Sequence, residues 1–421
     1  MMMDKKVYLC IDLKTFFASV ECVERGLDPF QTNLVVADPS RGNGSLCLAI
    51  SPKMKNMGIK NRCRIFEIPK GVEYITALPR MNLYMEYSAN IYAIYLKYVS
   101  KDDIHVYSID ECFIDISSYM KLYQKSAKQF AKMLIDDIYK TTGITATAGI
   151  GTNLYLCKIA LDIMAKHEPD CMALLTEKKY QHLLWHHTPL TDFWHIGRGI
   201  SAHLERLGIN DMYDLAHYNQ DILYKEFGIN AEYMIDHAWG REPTTISDIK
   251  AYQPTTNSIS NSQVLFEDYQ YDDALLVLKE MVELNVLKLV DQHLVTDHIS
   301  LYVGYSKNVI RGTGGQRKIT TRTNSLKILM KEFIDLFKER TKHDYPIRQI
   351  GISFCDVLNE YYETYDLFSD IEALEEEKRL QEAIIDIKKQ FGKNAILKGM
   401  NKLEKATTEK RNTLIGGHNA K

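Results

Sequence analysis

The sequence predicts a multidomain α+β protein, and three observations carry that reading. The chain has 421 residues, 45% of them hydrophobic and 25% charged, which is the length and balance of two to four globular domains. Between residues 7 and 166, runs rich in β-branched and aromatic residues alternate with helix-length segments. Their order, β-α-β-β-α-β, is that of a ferredoxin-like sheet. Two of these strand runs also end on carboxylates, which are seldom set amid apolar strand residues unless they are paired or bind metal.

Composition narrows the function classes. The net charge is −3, so any nucleic-acid surface must be local rather than a field over the whole protein. No stretch approaches the ~20 apolar residues of a membrane span, and the apolar run 7–11 is too short for a signal peptide. The eight cysteines (10, 22, 47, 63, 112, 157, 171, 355) form no Cys-x-x-Cys pair and no zinc-like spacing. That predicts reduced thiols and a cytoplasmic location.

The first strand is Val7-Tyr8-Leu9-Cys10-Ile11-Asp12. A helix opens at Thr15-Phe16-Phe17, where free backbone N–H groups can hold a triphosphate. Neighbours on a helix do not share a face, so one of the two phenylalanines belongs to the core. The second carboxylate-bearing run spans 106–116, with Asp110 and Glu111 adjacent in it. Neighbouring side chains of a regular strand point to opposite faces. If both acids serve one site, the backbone must turn or bulge there; otherwise this is a hairpin corner where two acids meet water. With Asp12, three hard oxygen donors would suit Mg²⁺. Two such ions roughly 3.5–4 Å apart make the phosphoryl-transfer clamp of polymerases and nucleases.

Ile11-Asp12-Leu13-Lys14-Thr15-Phe16-Phe17-Ala18-Ser19-Val20-Glu21, followed by Tyr107-Ser108-Ile109-Asp110-Glu111, resembles the two catalytic motifs of the Y-family, lesion-bypass DNA polymerases. The flavour is that of the UmuC-type branch of Gram-positive bacteria, and the match runs with gaps over about residues 5–360. The resemblance implies a right-hand polymerase with a ferredoxin-like palm (1–29 and 76–166), small fingers (30–75), a helical thumb (167–240), a linker (241–254), an α/β little finger (255–357) and a tail (358–421). It implies two Mg²⁺ ions, with Mn²⁺ as a substitute, on Asp12, Asp110, Glu111 and the Leu13 carbonyl. It places Phe17 as the steric gate that rejects a ribose 2′-OH. Thr15, Phe16, Phe17, Lys55 and Lys158 would bind the incoming dNTP. Two positions depart from the family pattern: Pro52 stands where many members carry Tyr, and Lys14 where many carry an acid or Asn.

The remaining elements follow in order. Ser51, Pro52 and Gly58 read as the cap, first position and stop of a short helix that carries Lys55. Residues 82–99 read as a helix whose tyrosines (84, 87, 92, 95, 98) form a core stripe, and 121–142 as another helix. The strand 145–151 ends in glycines and leads into a helix bearing Lys158. Asp115 reads as structural. In the thumb, Gly197 and Gly199 allow a helix-hairpin-helix turn whose N–H groups can grip one DNA phosphate, blind to sequence. Histidines 182, 186, 187, 195 and 203 read as surface or capping groups.

From His298 through Lys331 there is no acid. Lys307, Arg311, Arg317, Lys318 and Arg322 there are the candidate DNA-backbone contacts, around a mobile Gly312-Thr313-Gly314-Gly315. In the tail, Glu363-Thr364-Tyr365-Asp366-Leu367-Phe368 resembles the sliding-clamp motif of bacterial polymerases, with Tyr365, Leu367 and Phe368 as contacts. The segment 411–418 resembles a terminal segment of Gram-positive relatives and has no mechanism attached. Primer-template DNA, dNTP and the sliding clamp are the implied partners; whether an accessory protein also takes part is not fixed by the sequence. A non-catalytic DNA- and clamp-binding accessory and a nucleotide cyclase are the competing classes. Primer- and template-dependent incorporation separates all three.

Overall fold

The computed structural model describes residues 6–254, 257–307, 309–367 and 369–421. It divides into two compact units, one ending at Tyr252 and the other covering Gln253–Ala420.

The first unit opens with β1 (Tyr8–Leu13), α1 (Phe16–Glu24), β2 (Leu34–Val36), β3 (Ala49–Ile50), α2 (Pro52–Asn56), β4 (Ile75–Ala77) and α3 (Met81–Leu96). It continues with β5 (Ile104–Val106), β6 (Glu111–Asp115), α4 (Tyr119–Leu122), α5 (Ala127–Thr142), β7 (Ala146–Gly151), α6 (Leu154–Ile159) and β8 (Met172–Leu175). The main sheet has the order β5-β6-β1-β7-β8, and its first four strands run antiparallel. That is the ferredoxin-like arrangement read from the sequence.

β1 is apolar without interruption because both of its faces are covered. Leu9 and Ile11 enter a core with Ile91, Phe130, Leu134 and Ile138, while Tyr8 and Cys10 pack with Phe113, Leu154, Cys157 and Leu161. The helix expected over 121–142 is two helices. Ser126 begins the second through a reciprocal cap with Gln129, a local signal stronger than the periodicity across it.

Residues 34–77 form a small three-stranded sheet, β3-β2-β4, with its own core of Val35, Cys47, Ile50, Met54 and Cys63. Helices α7 (Glu177–Leu184), α8 (Arg198–Arg206), α9 (Met212–His217), α10 (Gln220–Phe227) and α11 (Asn230–Ala238) gather around Tyr180, Phe193, Leu204, Leu215 and Met234. The stretch read as a linker contains α12 (Ile246–Ala251), begun by reciprocal capping between Thr245 and Asp248. Its Ile246 is buried with Tyr8 and Phe113, so the chain leaves this unit only after that helix.

The second unit holds β9 (Ile259–Tyr269), α13 (Tyr271–Asp291), β10 (Leu294–Tyr305), β11 (Thr313–Thr323), α14 (Leu326–Arg340), β12 (Ile347–Cys355) and β13 (Leu358–Asn359). After these come α15 (Ile371–Phe391), α16 (Thr408–Arg411), β14 (Leu414–Ile415) and β15 (His418–Asn419). The sheet order is β11-β10-β12-β9, with Val282, Val286, Ile299, Leu301, Phe333 and Phe354 in its core. The glycines expected to be mobile are largely in the ladder: Gly314 pairs with Tyr302 and Gly315 with Leu301.

Residues 358–420 are no tail. The carboxylate of Glu280 on α13 is 1% exposed and accepts from Asn401 Nδ2 (3.0 Å), the Thr407 N–H (2.7 Å) and hydroxyl (3.0 Å), and the Thr408 N–H (3.2 Å). A buried carboxylate must be hydrogen-bonded, and here the C-terminal segment supplies the donors. Arg411 reaches Asn261 on β9 (3.1 Å), which attaches the segment 411–418 to the edge strand.

Candidate active site

The site is assembled at one end of β1 and β6. Asp12 and Glu111 are direct cross-strand partners, and directly opposed residues share a sheet face. The chain turns through 107–110 rather than running straight. The Leu13 N–H donates to the Asp110 carbonyl (3.0 Å), and the Ser108 hydroxyl donates to Asp110 Oδ1 (2.7 Å). The backbone turn required by two adjacent acids is present, and it brings Asp12, Asp110 and Glu111 to one edge.

The helix beside this edge lies against β7 because β7 ends in glycines. A Cβ at Gly149 would stand 2.0 Å from the Cys157 carbonyl oxygen, and one at Gly151 2.2 Å from the Cys157 nitrogen. Without side chains there, α6 and the π-helical turn Ala160–Ala165 that continues it can approach to backbone contact. Lys158 is thereby set within 2.7 and 2.8 Å of the two Glu111 oxygens and 2.9 Å from Asp162. The Cys10 thiol donates to Glu111 Oε1 (3.0 Å). Burial opposes the charge of Lys158, but the acids around it outweigh burial and hold it protonated above the ordinary lysine range. Asp12 is pushed up to about 7, chiefly by burial; Lys166 opposes this, while Asp110 and Glu111 add to it.

Asp12, Asp110 and Glu111 together form an all-oxygen donor set that a hard divalent cation suits. Among the described residues, no three such side chains stand at ligand distance from a common point. Glu111 is turned onto Lys158 instead, so binding an ion there requires side-chain rotation.

α1 begins unusually. Thr15 adopts the left-handed region (φ 44°), with no side-chain cap on the helix N–H groups. A β-branched residue there is strained. Phe16 is buried, and Phe17 is half-buried with its ring stacked on Tyr84, centroids 4.5 Å apart. The last residue of the first motif, Glu21, was missed by sequence reasoning. It is fully buried and accepts from Arg80 (3.0 and 2.8 Å), the Tyr84 hydroxyl (2.7 Å) and Arg25. It therefore fixes the ring on which Phe17 rests; a Glu within an apolar helix stripe was the available signal. Lys14 is engaged with the Cys171 sulfur (2.7 Å), and Lys55 is exposed on α2.

Among helices α7–α11, Gly197 precedes α8 and Gly199 lies in its first turn. A Cβ at either would meet nothing within 4 Å. Three of the histidines there each pair with one acid: His186–Asp211, His187–Asp192 and His203–Glu226.

The basic stretch of the second unit is divided between two faces. Arg317 opposes Ile299 in the register, so it faces the helices. It is spent on Glu332 (3.1 Å) and Glu339 (2.5 Å). Arg322 is paired with Asp297 (2.7 Å). Strand alternation accounts for Arg317: it and Lys318 are neighbours, and only one of them can face outward. Lys318 takes the outer face, beside exposed Gln316, and Lys307 and Arg311 are exposed in the connecting turn. Leu367 is 98% exposed, while Tyr365 bonds Glu363 (3.0 Å). Phe368 lies outside the described residues.

The first unit thus sets an acidic edge on a ferredoxin-like sheet beside a helix-borne lysine. Residues 11–162 match the impB/mucB/samB family, and residues 256–365 match the C-terminal domain of that family, together more than half of the chain. The chain is 29% identical over 418 residues to UvrX of Bacillus subtilis (strain 168), described as a UV-damage repair protein, covering 98% of both chains. It is 28% identical to DNA polymerase IV 2 of the same organism, covering 99% of this chain and 100% of that one. The solved Y-family DNA polymerase chimera Dbh-Dpo4(243-245)-Dbh shares the fold with a TM-score of 0.64 at 20% identity, over 84% of this chain and 99% of the other. The chain belongs to this family: it is a Y-family, DNA-directed DNA polymerase of DNA damage repair. No described helix is long and apolar enough to cross a membrane.

Proposed function

We propose that the protein is a low-fidelity translesion polymerase that transfers nucleotides from dNTP to a primer 3′-OH at the Asp12/Asp110/Glu111 edge. The observation that carries this reading is the juxtaposition of Asp12 and Glu111 across β1 and β6 with Lys158 on the helix above them. Asp12, Asp110, Glu111 and the Leu13 carbonyl would hold two Mg²⁺ ions, with Mn²⁺ able to substitute. Bound there, the ions supply activation of the primer hydroxyl and neutralisation of the triphosphate.

The chain's own residues do the positioning. Lys158, released from Glu111, would meet the β- and γ-phosphates, joined by exposed Lys55 and by the uncapped N–H groups of Thr15, Phe16 and Phe17. The Phe17 ring, backed by Tyr84, would lie under the sugar and exclude a 2′-OH. Little of this chemistry needs a protein acid or base, so orientation carries the rate.

In this reading residues 1–29 and 76–166 are the palm, 30–75 the fingers and 167–240 the thumb. The second unit is the little finger, extended by the C-terminal segment. Gly197 and Gly199 would admit a DNA phosphate to the backbone of α8, and Lys307, Arg311 and Lys318 would follow the duplex backbone with strong salt dependence. The small β3-β2-β4 fingers would enclose the nascent pair loosely, which lowers discrimination. Tyr365, exposed Leu367 and Phe368 would dock on a sliding clamp, in a bacterial cytoplasm.

Primer extension with Mg²⁺ and four dNTPs, on plain and abasic templates, tests the reading. The wild type is run beside Asp110→Ala, with and without clamp. Short extension that passes the abasic site and vanishes in the variant is expected. Extension that survives in Asp110→Ala would overturn the site, and wild-type arrest at every abasic site would overturn lesion bypass.

A further inference from the structure

Lys158, Asp162 and Lys166 follow one another at four-residue spacing. In an α-helix of 3.6 residues per turn each such step overshoots a full turn by about 40°, so three groups drift off a common face. The wider π turn over Ala160–Ala165 takes the overshoot back, and Asp162 meets both lysines. Asp162 divides its carboxylate between Lys158 (Oδ2, 2.9 Å) and Lys166 (Oδ1, 2.7 Å). Lys158 covers Glu111, and Lys166 stands 3.8 Å from Asp12 Oδ2. The result is a chain of alternating charge, Glu111–Lys158–Asp162–Lys166–Asp12, laid along the acidic edge. The polymerase reading assigns Lys158 to phosphate and leaves Lys166 without a role.

We propose that Lys166 is a resident counter-cation of Asp12 that an incoming divalent ion must displace, and that it thereby sets the cation concentration at which the site loads. The proposal rests on the polymerase reading of the same carboxylates. Lys166 is suited to the part. Its side chain is 36% exposed, so its ammonium can withdraw to water, and its bond to Asp162 keeps it close when it does. Crowded carboxylates at the edge are thus partly neutralised before any substrate arrives, and the site stays formed. The cost is that metal binds against one nearby positive charge.

The test is a Mn²⁺ titration of the full-length protein without DNA or nucleotide, reading free Mn²⁺ by electron paramagnetic resonance. Wild type is compared with Lys166→Met, Lys166→Gln, Lys166→Arg and Asp110→Asn, each checked for folding by circular dichroism. The expected result is that Lys166→Met and Lys166→Gln shift the Asp110-dependent binding to at least about fivefold lower Mn²⁺, the effect of one charge at about 4 Å under water-like screening. Lys166→Arg, which keeps the charge, should titrate like wild type. Asp110-dependent binding that does not tighten in the neutral variants overturns this proposal and leaves the polymerase reading standing. Mn²⁺ binding that ignores Asp110→Asn in every background overturns both.

Discussion

Replacing Glu21 tests whether the region around Phe17 and Tyr84 is held by a buried ion pair rather than by packing alone. The carboxylate is fully buried, whereas the side chains of Arg80 and Arg25 are 34% and 35% exposed. Removing one member of a wholly buried pair costs about 3–5 kcal/mol. Here both arginines can turn to water, so that figure is reduced, while the buried Tyr84 hydroxyl loses its acceptor at about 1–3 kcal/mol. Glu21→Ala should therefore destabilise α1 and α3 locally by roughly 2–4 kcal/mol. Glu21→Gln keeps an acceptor for Tyr84 and should cost less, and Tyr84→Phe about 1 kcal/mol. Native-state hydrogen exchange of the α1 and α3 amides reads this directly, without assuming that the two units unfold together. The pH dependence carries a second check. Burial raises the pKa of Glu21, but Arg80, Tyr84 and Arg25 outweigh it and leave the group below the usual carboxylate range. Its stabilisation is full above that range and is lost as pH falls through the lowered value; Glu21→Gln should flatten the slope there. A loss under about 0.5 kcal/mol in Glu21→Ala would refute the ion-pair account.

Other consequences are as direct. Phe17→Ala removes the ring stacked on Tyr84 and should raise ribonucleotide incorporation relative to deoxyribonucleotide, measured by competition on one template; an unchanged ratio would exclude Phe17 as the gate. Gly149→Ala puts a Cβ into the Cys157 carbonyl at 2.0 Å and should push α6 off the sheet, costing about 1–3 kcal/mol or more and most of the extension activity. Deleting residues 393–421 strips the donors from buried Glu280 and should lower the stability of the second unit by about 3–5 kcal/mol, visible as a lower thermal midpoint. Asp12 titrates near about 7, and its proton must leave before a cation binds. The Mg²⁺ needed for half-maximal extension should therefore fall as pH rises through that value and level off above it. Without metal, a raised carboxyl pKa means that stability falls over the same rise, because the native state holds the proton that the unfolded chain has released.

Local pattern was enough for much of this protein. Strand runs ending in Asp12 and Asp110-Glu111, the helix start at Thr15 and the expectation that only one of Phe16 and Phe17 enters the core are set by side-chain periods of 2 and 3.6, which a single sequence displays; which of the two it is came from the family resemblance. Caps were equally legible where they were sought, and the Thr245/Asp248 cap missed in the presumed linker was written in the same code. The basic stretch was overcounted because a run of charge does not say which face each residue takes. Register decided that Arg317 turns inward to Glu332 and Glu339 while Lys318 stays outside.

Read alone, the amino-acid order yields the identity and order of the chemistry: three carboxylates, a lysine-bearing helix after a glycine-ended strand, and the ferredoxin-like succession of elements that joins them. Which charges meet is set by the packing of distant elements. Glu21 with Arg80, Lys158 with Glu111, Lys166 with Asp12 and Glu280 with Thr407 are separated by 47 to 154 residues. The physical reason is that periodicity is a property of one element, whereas a buried charge is satisfied by whichever donor the packing of another element brings within about 3 Å.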